Sequence, residues 1–135
     1  MFRTFNYPEF AQSWIGAAGP PVALGNERFL TLYHQGHYGH DGTREYDLAA
    51  ALLDFSRDQP VVARIEPLMR PETDFEREGD DDLGVDNVLF SCANYVWDDL
   101  LIVPYAGADS RIFGATFPFE ALVSALETLD ERAEV

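Results

Sequence analysis

Only a few side chains in this sequence have types and spacings that suit chemistry. Three histidines, His34, His37 and His40, stand three residues apart, with Asp41 directly after the last of them, in and before the glycine-rich stretch GHYGHDG. In a loop, imidazoles at that spacing can converge on zinc or nickel. On a strand the same spacing turns neighbours to opposite faces, so a polar loop without a metal is the expectation. The carboxylates Glu76, Glu78, Asp86 and Asp109 could act as acid and base. Among 24 acidic residues such pairs arise by chance, and solvated surface charge is their ordinary role. Cys92 lies in the apolar run VLFSCANYV, which suits a small buried hydrophobe rather than a reactive thiolate. Ser91 and Ser110 have no G-x-S-x-G setting, and neither G-x-G-x-x-G nor a P-loop is present. The aromatics Trp14, Tyr33, Tyr38, Tyr95, Trp97 and Tyr105 fall at strand ends and loops, where rings either stack on a ligand or fill gaps between sheets.

The elements that must position these residues are mostly strands. Apolar runs bounded by Gly, Pro, Asn and Asp predict strands over residues 28–35, 45–54, 61–65, 87–97, 100–105 and 110–117. The segment DLAAALLD has helical propensity, but it is short and lies between two turns, which favours a buried strand. After Pro118, the residues Phe119, Leu122, Val123 and Leu126 recur at helical spacing, predicting a short amphipathic helix whose charged tail frays. The two halves are weak copies of each other: LTLYHQ (30–35) aligns with LIVPYA (101–106), and LAAALL (48–53) with FGATFP (113–118). A repeated unit of a few antiparallel strands is what a β-propeller blade looks like in sequence. The expectation is one domain, residues 1–135, all-β, made of two blades (about 13–79 and 85–129) plus extra strands and a short C-terminal helix. A propeller of so few blades cannot close on itself, so apolar faces and sheet edges would need covering, by a homo-oligomer or by a second chain.

Composition limits the partners. The 135 residues carry a net charge of -15 with a pI near 4.2, which excludes general affinity for nucleic acid or anionic membrane. All nine basic residues are arginine. An acidic, lysine-free surface suits a halophilic cell, where salt screens self-repulsion, and it equally follows from a GC-rich genome. One cysteine excludes an internal disulfide framework and fits a reducing compartment. Residues 1–8 lack a signal-peptide core, and no stretch approaches the ~18 apolar residues of a membrane span, so a cytoplasmic protein is expected.

Four stretches, in order, carry a resemblance to a known family: WIGAAGPPV (14–22), FLTLYHQG (29–36), YDLAAALLDF followed by PLMRPETDFEREG (within 46–79), and DNVLFSCANYVWDDLLIVPYAGADSRIFGAT (86–116). Over residues 14–129 the sequence resembles the C-terminal part of the family 130 glycoside hydrolases, five-bladed β-propeller enzymes that include mannosyl phosphorylases and mannosidases. The resemblance implies a carbohydrate-active protein acting on β-mannosides or related glycosides, with inorganic phosphate as a possible co-substrate and no other cofactor. It implies that His34, in YHQG, helps hold phosphate and sugar, and that Asp109, in AGAD, binds sugar hydroxyls at the cleaved bond. It also implies that Asn87 shapes the same face, and Tyr105 is placed beside them as an aromatic contact. The chain departs from the family in two places. Trp14 stands where the family's phosphorylases have a lysine, and Asp80, Asp81 and Asp82 add negative charge near the implied phosphate site. The family's general acid and most of its phosphate-binding arginines lie in N-terminal blades outside this sequence. No catalytic residue is therefore assigned, and activity is expected only on assembly with further blades. The alternative is a non-catalytic module that binds carbohydrate or only assembles.

Overall fold

The computed structural model describes residues 13–38, 41–82 and 84–133. The alternating and continuous apolar runs form two antiparallel sheets. The first contains β1 (Ser13–Ala17), β2 (Val22–Gly25), β3 (Arg28–Tyr38), β4 (Arg44–Asp54) and β5 (Val61–Met69). A connection bearing α1 (Asp74–Arg77) leads to the second, made of β6 (Leu89–Phe90), β7 (Tyr95–Trp97), β8 (Leu100–Gly107) and β9 (Arg111–Pro118), and α2 (Phe119–Ala133) follows.

The internal repeat is visible in the strand order. In the first sheet β1 and β2 lie end to end along one side of β3, β1 against its far end and β2 against its start. In the second, β6 and β7 lie end to end along β8 in the same sense. β3 pairs with β4 as β8 pairs with β9. The fold is thus all-β with a C-terminal helix, two blade-like sheets with no closed barrel. The first sheet has β5 as its fourth rank, whereas β9 is an open edge on which Ile112 is 84% exposed.

The period of two in β3 and β4 sorts their side chains. Even positions Leu30, Leu32, Leu48, Ala50 and Leu52 face the second sheet and pack with Leu101, Val103, Leu122 and Leu126 in one buried cluster. Odd positions Tyr33, Ala49, Ala51 and Leu53 form a second cluster on the opposite face. A fully buried leucine contributes about 1.5–3 kcal/mol as an upper estimate, so the even face dominates the core. At the far end of that face, Trp14 packs edge-on against Tyr38 and Tyr46, with ring centroids 5.4 and 5.3 Å away. Gly36 makes this possible: a Cβ there would lie 2.1 Å from the Trp14 ring.

The structure revises several expectations. The run 87–97 is not one strand. Asn87 has φ 56°, and beyond β6 the Ser91 hydroxyl sits 2.9 and 2.7 Å from the Ala93 and Pro104 carbonyls, while the Asn94 amide donates to the Pro20 carbonyl at 3.0 Å. These side-chain bonds replace the ladder over residues 91–94, and Cys92 is exposed there rather than buried. α1 was not foreseen. The tail of α2 does not fray: buried Asp130 accepts two N–H bonds from the Arg57 guanidinium, at 2.8 and 2.9 Å, which fixes the last turns against the β4–β5 turn. Gly36 to Tyr38 belong to β3 and not to a loop, while His40 lies outside the described residues.

The β2–β3 hairpin turns through Asn26 and Glu27, both left-handed, with φ 51° and 61°. Asparagine tolerates that region and glutamate does so at a cost, so the turn is of the kind that favours Asn-Gly. Glu27→Gly is expected to raise stability by up to ~1 kcal/mol, the relieved strain exceeding the added freedom of the unfolded chain. Urea denaturation checks this, and a destabilised variant would refute the strain at Glu27.

Candidate functional site

The odd face of the β3–β4 pair changes character along its length. Past Tyr33 and Ala49 it becomes polar, with Gln35 and Asp47 opposite one another and His37 opposite Glu45. This end forms one wall of an open cleft of about 860 Å³, lined by His37, Glu45, Arg70, Glu72, Arg77 and Asn87 among others. The opposite wall is the chain that leaves β5. Arg70 reaches back to Glu45, its Nη2 and Nε donating to Oε1 at 2.8 and 3.2 Å.

Glu76 holds this second wall in place. Its side chain is buried, and Oε2 accepts the backbone N–H groups of Glu72 and Thr73, each at 2.9 Å, while Oε1 accepts the Tyr105 hydroxyl at 2.6 Å. Burial alone would raise its carboxyl, but the hydrogen bonds from Tyr105 and from the amides of Thr73 and Glu72 outweigh it and hold the group below its ordinary value. Burial and the Glu76 carboxylate push the Tyr105 hydroxyl up, so it stays protonated as the donor. The turn so fixed carries Arg77 on α1. The Arg77 carbonyl accepts the Asn87 N–H at 3.1 Å, and the Asn87 carbonyl accepts the Tyr46 N–H at 2.9 Å, so Asn87 is pinned between α1 and β4. Its left-handed backbone suits asparagine.

The electrostatics of the first wall are unusual. Burial, and then the neighbouring Glu45, push the Asp47 carboxyl up to about 8 against the pull of Arg70. Burial lowers His37 more than Glu45 raises it. At neutral pH this wall therefore presents a neutral imidazole and a protonated Asp47 beside the Glu45–Arg70 pair.

The four residues singled out from sequence do not gather in this cleft. Asn87 lines it. Tyr105 approaches it through Glu76. Asp109 sits exposed in the β8–β9 turn with φ 52°, next to Ala108, whose N–H donates to the Val88 carbonyl at 2.8 Å, so it lies close in the chain path to the segment bearing Asn87. His34 is buried on the even face, away from the cleft. Its Nε2 accepts the Ser91 N–H at 2.8 Å, its ring stacks on Phe90 with centroids 4.5 Å apart, and a backbone hydrogen bond joins it to Ala17. Burial lowers its pKa, with the Ala17 bond opposing, so the ring is neutral and accepts at Nε2. His34 and His37 do face opposite ways, as three-residue spacing on a strand requires. Trp14, in the place of the family's lysine, is a packing residue.

Glu45, Asp47, Arg70 and Arg77 are not among the candidates that the sequence suggests, and Glu76, expected as surface charge, is buried. The signal available for the first two was their i, i+2 spacing in REYD, which becomes meaningful only once HQGH is known to pair with it. Arg70 and Arg77 stand in the quoted PLMRPETDFEREG, but nothing local to that stretch says that they face β4.

The chain matches, over residues 3–128, glycoside hydrolase family 130, described as beta-1,4-mannooligosaccharide phosphorylase. It is 40% identical over 99 residues to the 1,2-beta-oligomannan phosphorylase of Thermoanaerobacter sp. (strain X514), an alignment covering 73% of this chain and 30% of that protein. It is 39% identical over 99 residues to the beta-1,2-mannobiose phosphorylase of the same organism, with the same coverage. Its fold superposes on the beta-1,2-mannobiose phosphorylase from Listeria innocua, solved as its beta-1,2-mannobiose complex, with a TM-score of 0.67 and 27% identity, covering 84% of this chain and 30% of that one. The chain thus spans 30% of the length of the relatives it matches.

Proposed function

The chain belongs to glycoside hydrolase family 130, and from this premise we propose that it forms one wall of a β-mannoside site of the phosphorylase type, completed by further blades. The observation that carries the reading is the convergence of Arg70, Arg77 and the pinned Asn87 on one open cleft, in a protein whose net charge is -15. Guanidinium forks fit phosphate or paired sugar hydroxyls, and an amide both donates to and accepts from hydroxyls. Asp109 extends the sugar-binding face as a hydroxyl acceptor. Tyr105 sets the position of Arg77 and Asn87 through Glu76. His34 acts by fixing Ser91 and the contact between the sheets and not by touching ligand. Proton donation to the leaving oxygen falls to the further blades, so the chain by itself binds without turning over. The open edge of β9 and the exposed Trp97 and Ile112 are where a second copy or a second chain would join.

Calorimetry with mannobiose, with phosphate and with both is the test, run at protein concentrations where light scattering also reports the mass. Millimolar binding is expected, weakened at least about tenfold by Arg77→Ala, Asn87→Ala or Asp109→Ala, with no phosphate-dependent cleavage of mannobiose. Absence of binding by the assembled species refutes the site. Turnover by the pure chain refutes the division of labour, because it requires a proton donor within these residues.

A further inference from the structure

One cluster in the cleft wall has a chemistry that mannoside binding does not use. His37 closes β3, and Glu45 and Asp47 alternate along β4. The register pairs His37 with Glu45 and Gln35 with Asp47, which puts all three on one face of the sheet. His37 Nε2 is 4.0 Å from Glu45 Oε1, and its Nδ1 is 3.8 Å from Asp47 Oδ2. One ligand atom from each residue lies within 4.8 Å of the others. Donors bound at about 2.1 Å around a first-row divalent ion are themselves about 3–4 Å apart, so small rotamer adjustments close the set.

Asp47 supplies a second and independent indication. The residue is 4% exposed, yet its Oδ1 has no hydrogen-bond partner. It shares a strand face with a second carboxylate, Glu45, whose Oε1 already takes both N–H bonds from Arg70. A proton on Asp47 relieves the like charge but leaves this buried oxygen unsatisfied, which is costly, whereas a bound cation would displace the proton and take up the oxygen.

We propose that His37, Glu45 and Asp47 form a binding site for a divalent transition-metal ion of the zinc or manganese class. One imidazole and two carboxylates make a nitrogen–oxygen donor set without thiolate, and such a three-ligand set leaves coordination positions open towards the cleft for water or a ligand oxygen. The imidazole disfavours calcium and magnesium, which take oxygen ligands. Zinc should bind more tightly than manganese, following the general order for such donors. The site does not depend on the mannoside reading and is tested with metal alone.

The chain, stripped with EDTA, is titrated with zinc chloride and then manganese chloride by calorimetry, in excess magnesium so that diffuse attraction to the acidic surface is saturated. One equivalent of zinc is expected, with affinity reduced at least about tenfold in Asp47→Asn and in His37→Gln, and unchanged in Asp81→Asn. Zinc should raise the melting temperature of the native chain and not of Asp47→Asn. Should Asp47→Asn fail to fold, cobalt is used with His37→Gln, and the visible bands of an imidazole-ligated ion are expected in the native chain and lost in the variant. Absence of saturable zinc binding in magnesium, or equal affinity in native and variant chains, overturns the proposal.

Discussion

Glu76→Ala is expected to remove about 3–5 kcal/mol of folding stability, because the change strands three donors and opens a gap in a buried position. The backbone N–H groups of Glu72 and Thr73 and the Tyr105 hydroxyl all end on this carboxylate. Tyr105→Phe removes one donor and leaves two satisfied, so it should cost only about 1 kcal/mol. Urea denaturation of both variants and of the double variant isolates the coupling, with a positive interaction energy expected for the pair. The pH dependence follows from the same bonds. With its folded value held below 4.5, Glu76 contributes stability that is present above pH 4.5 and lost as pH falls through the lowered value. Ligand binding in the cleft should fail with Glu76→Ala even in the fraction that folds, since the Glu76 and Arg77 carbonyls hold Val88 and Asn87. A variant within about 0.5 kcal/mol of the native chain would show that Glu76 does not organise this wall.

His34→Ala is expected to cost about 3–5 kcal/mol as well, through a different mechanism. It empties a site that is 2% exposed, unstacks Phe90 and leaves the Ser91 N–H without its acceptor between the sheets. Titration gives the sharper reading. The folded imidazole titrates below 6.5, burial being the main cause. Above about pH 6.5 both folded and unfolded chains carry it neutral. Below that, the unfolded chain takes a proton that the folded chain refuses, so stability falls towards the lowered folded value by up to about 1.4 kcal/mol per pH unit. His34→Asn offers Ser91 an amide oxygen and does not titrate, so the difference between native and variant stability should shrink as pH drops from about 7.5 to about 5.5. A difference that stays constant across that range would mean that the ring is not the neutral acceptor described.

How far these features could be read in sequence depends on whether local pattern or tertiary placement decides them. β3, β4 and β8 are legible because LTLYHQ, DLAAALLD and LLIVPY are apolar on both faces and bounded by turn residues, as strands in a sandwich of sheets and helix must be. The repeat is legible for the same reason, since both copies keep their central pair. The break at residues 91–94 is not, because it depends on a serine hydroxyl and an asparagine amide finding carbonyls thirteen and seventy-four residues away along the chain. Asn87 is singled out by family resemblance alone, and the structure places it in the cleft lining with a left-handed backbone. The rest of the cleft was hidden. Arg70, Arg77 and Glu45 look like any charged residues in an acidic sequence until β5 is seen to return past the end of β4. The burial of His34 was hidden for a related reason: a polar strand residue looks the same in sequence whether its ring turns to a cleft or to the core.

The course of α2 has a consequence for the order of events during synthesis. The helix follows the second sheet in the chain, yet Leu122 and Leu126 lie in the cluster made by Leu30, Leu32, Leu48 and Leu52 of the first, and Asp130 locks onto Arg57. A growing chain therefore leaves the ribosome with the first sheet complete in its hydrogen bonds but uncovered on its most apolar face. That face gains Leu101 and Val103 when β8 is made and is fully covered only once the residues of α2 have emerged. For this interval the nascent first sheet has the exposed apolar face that a holding chaperone binds, and release becomes favourable as β8 and then α2 arrive to take the chaperone's place.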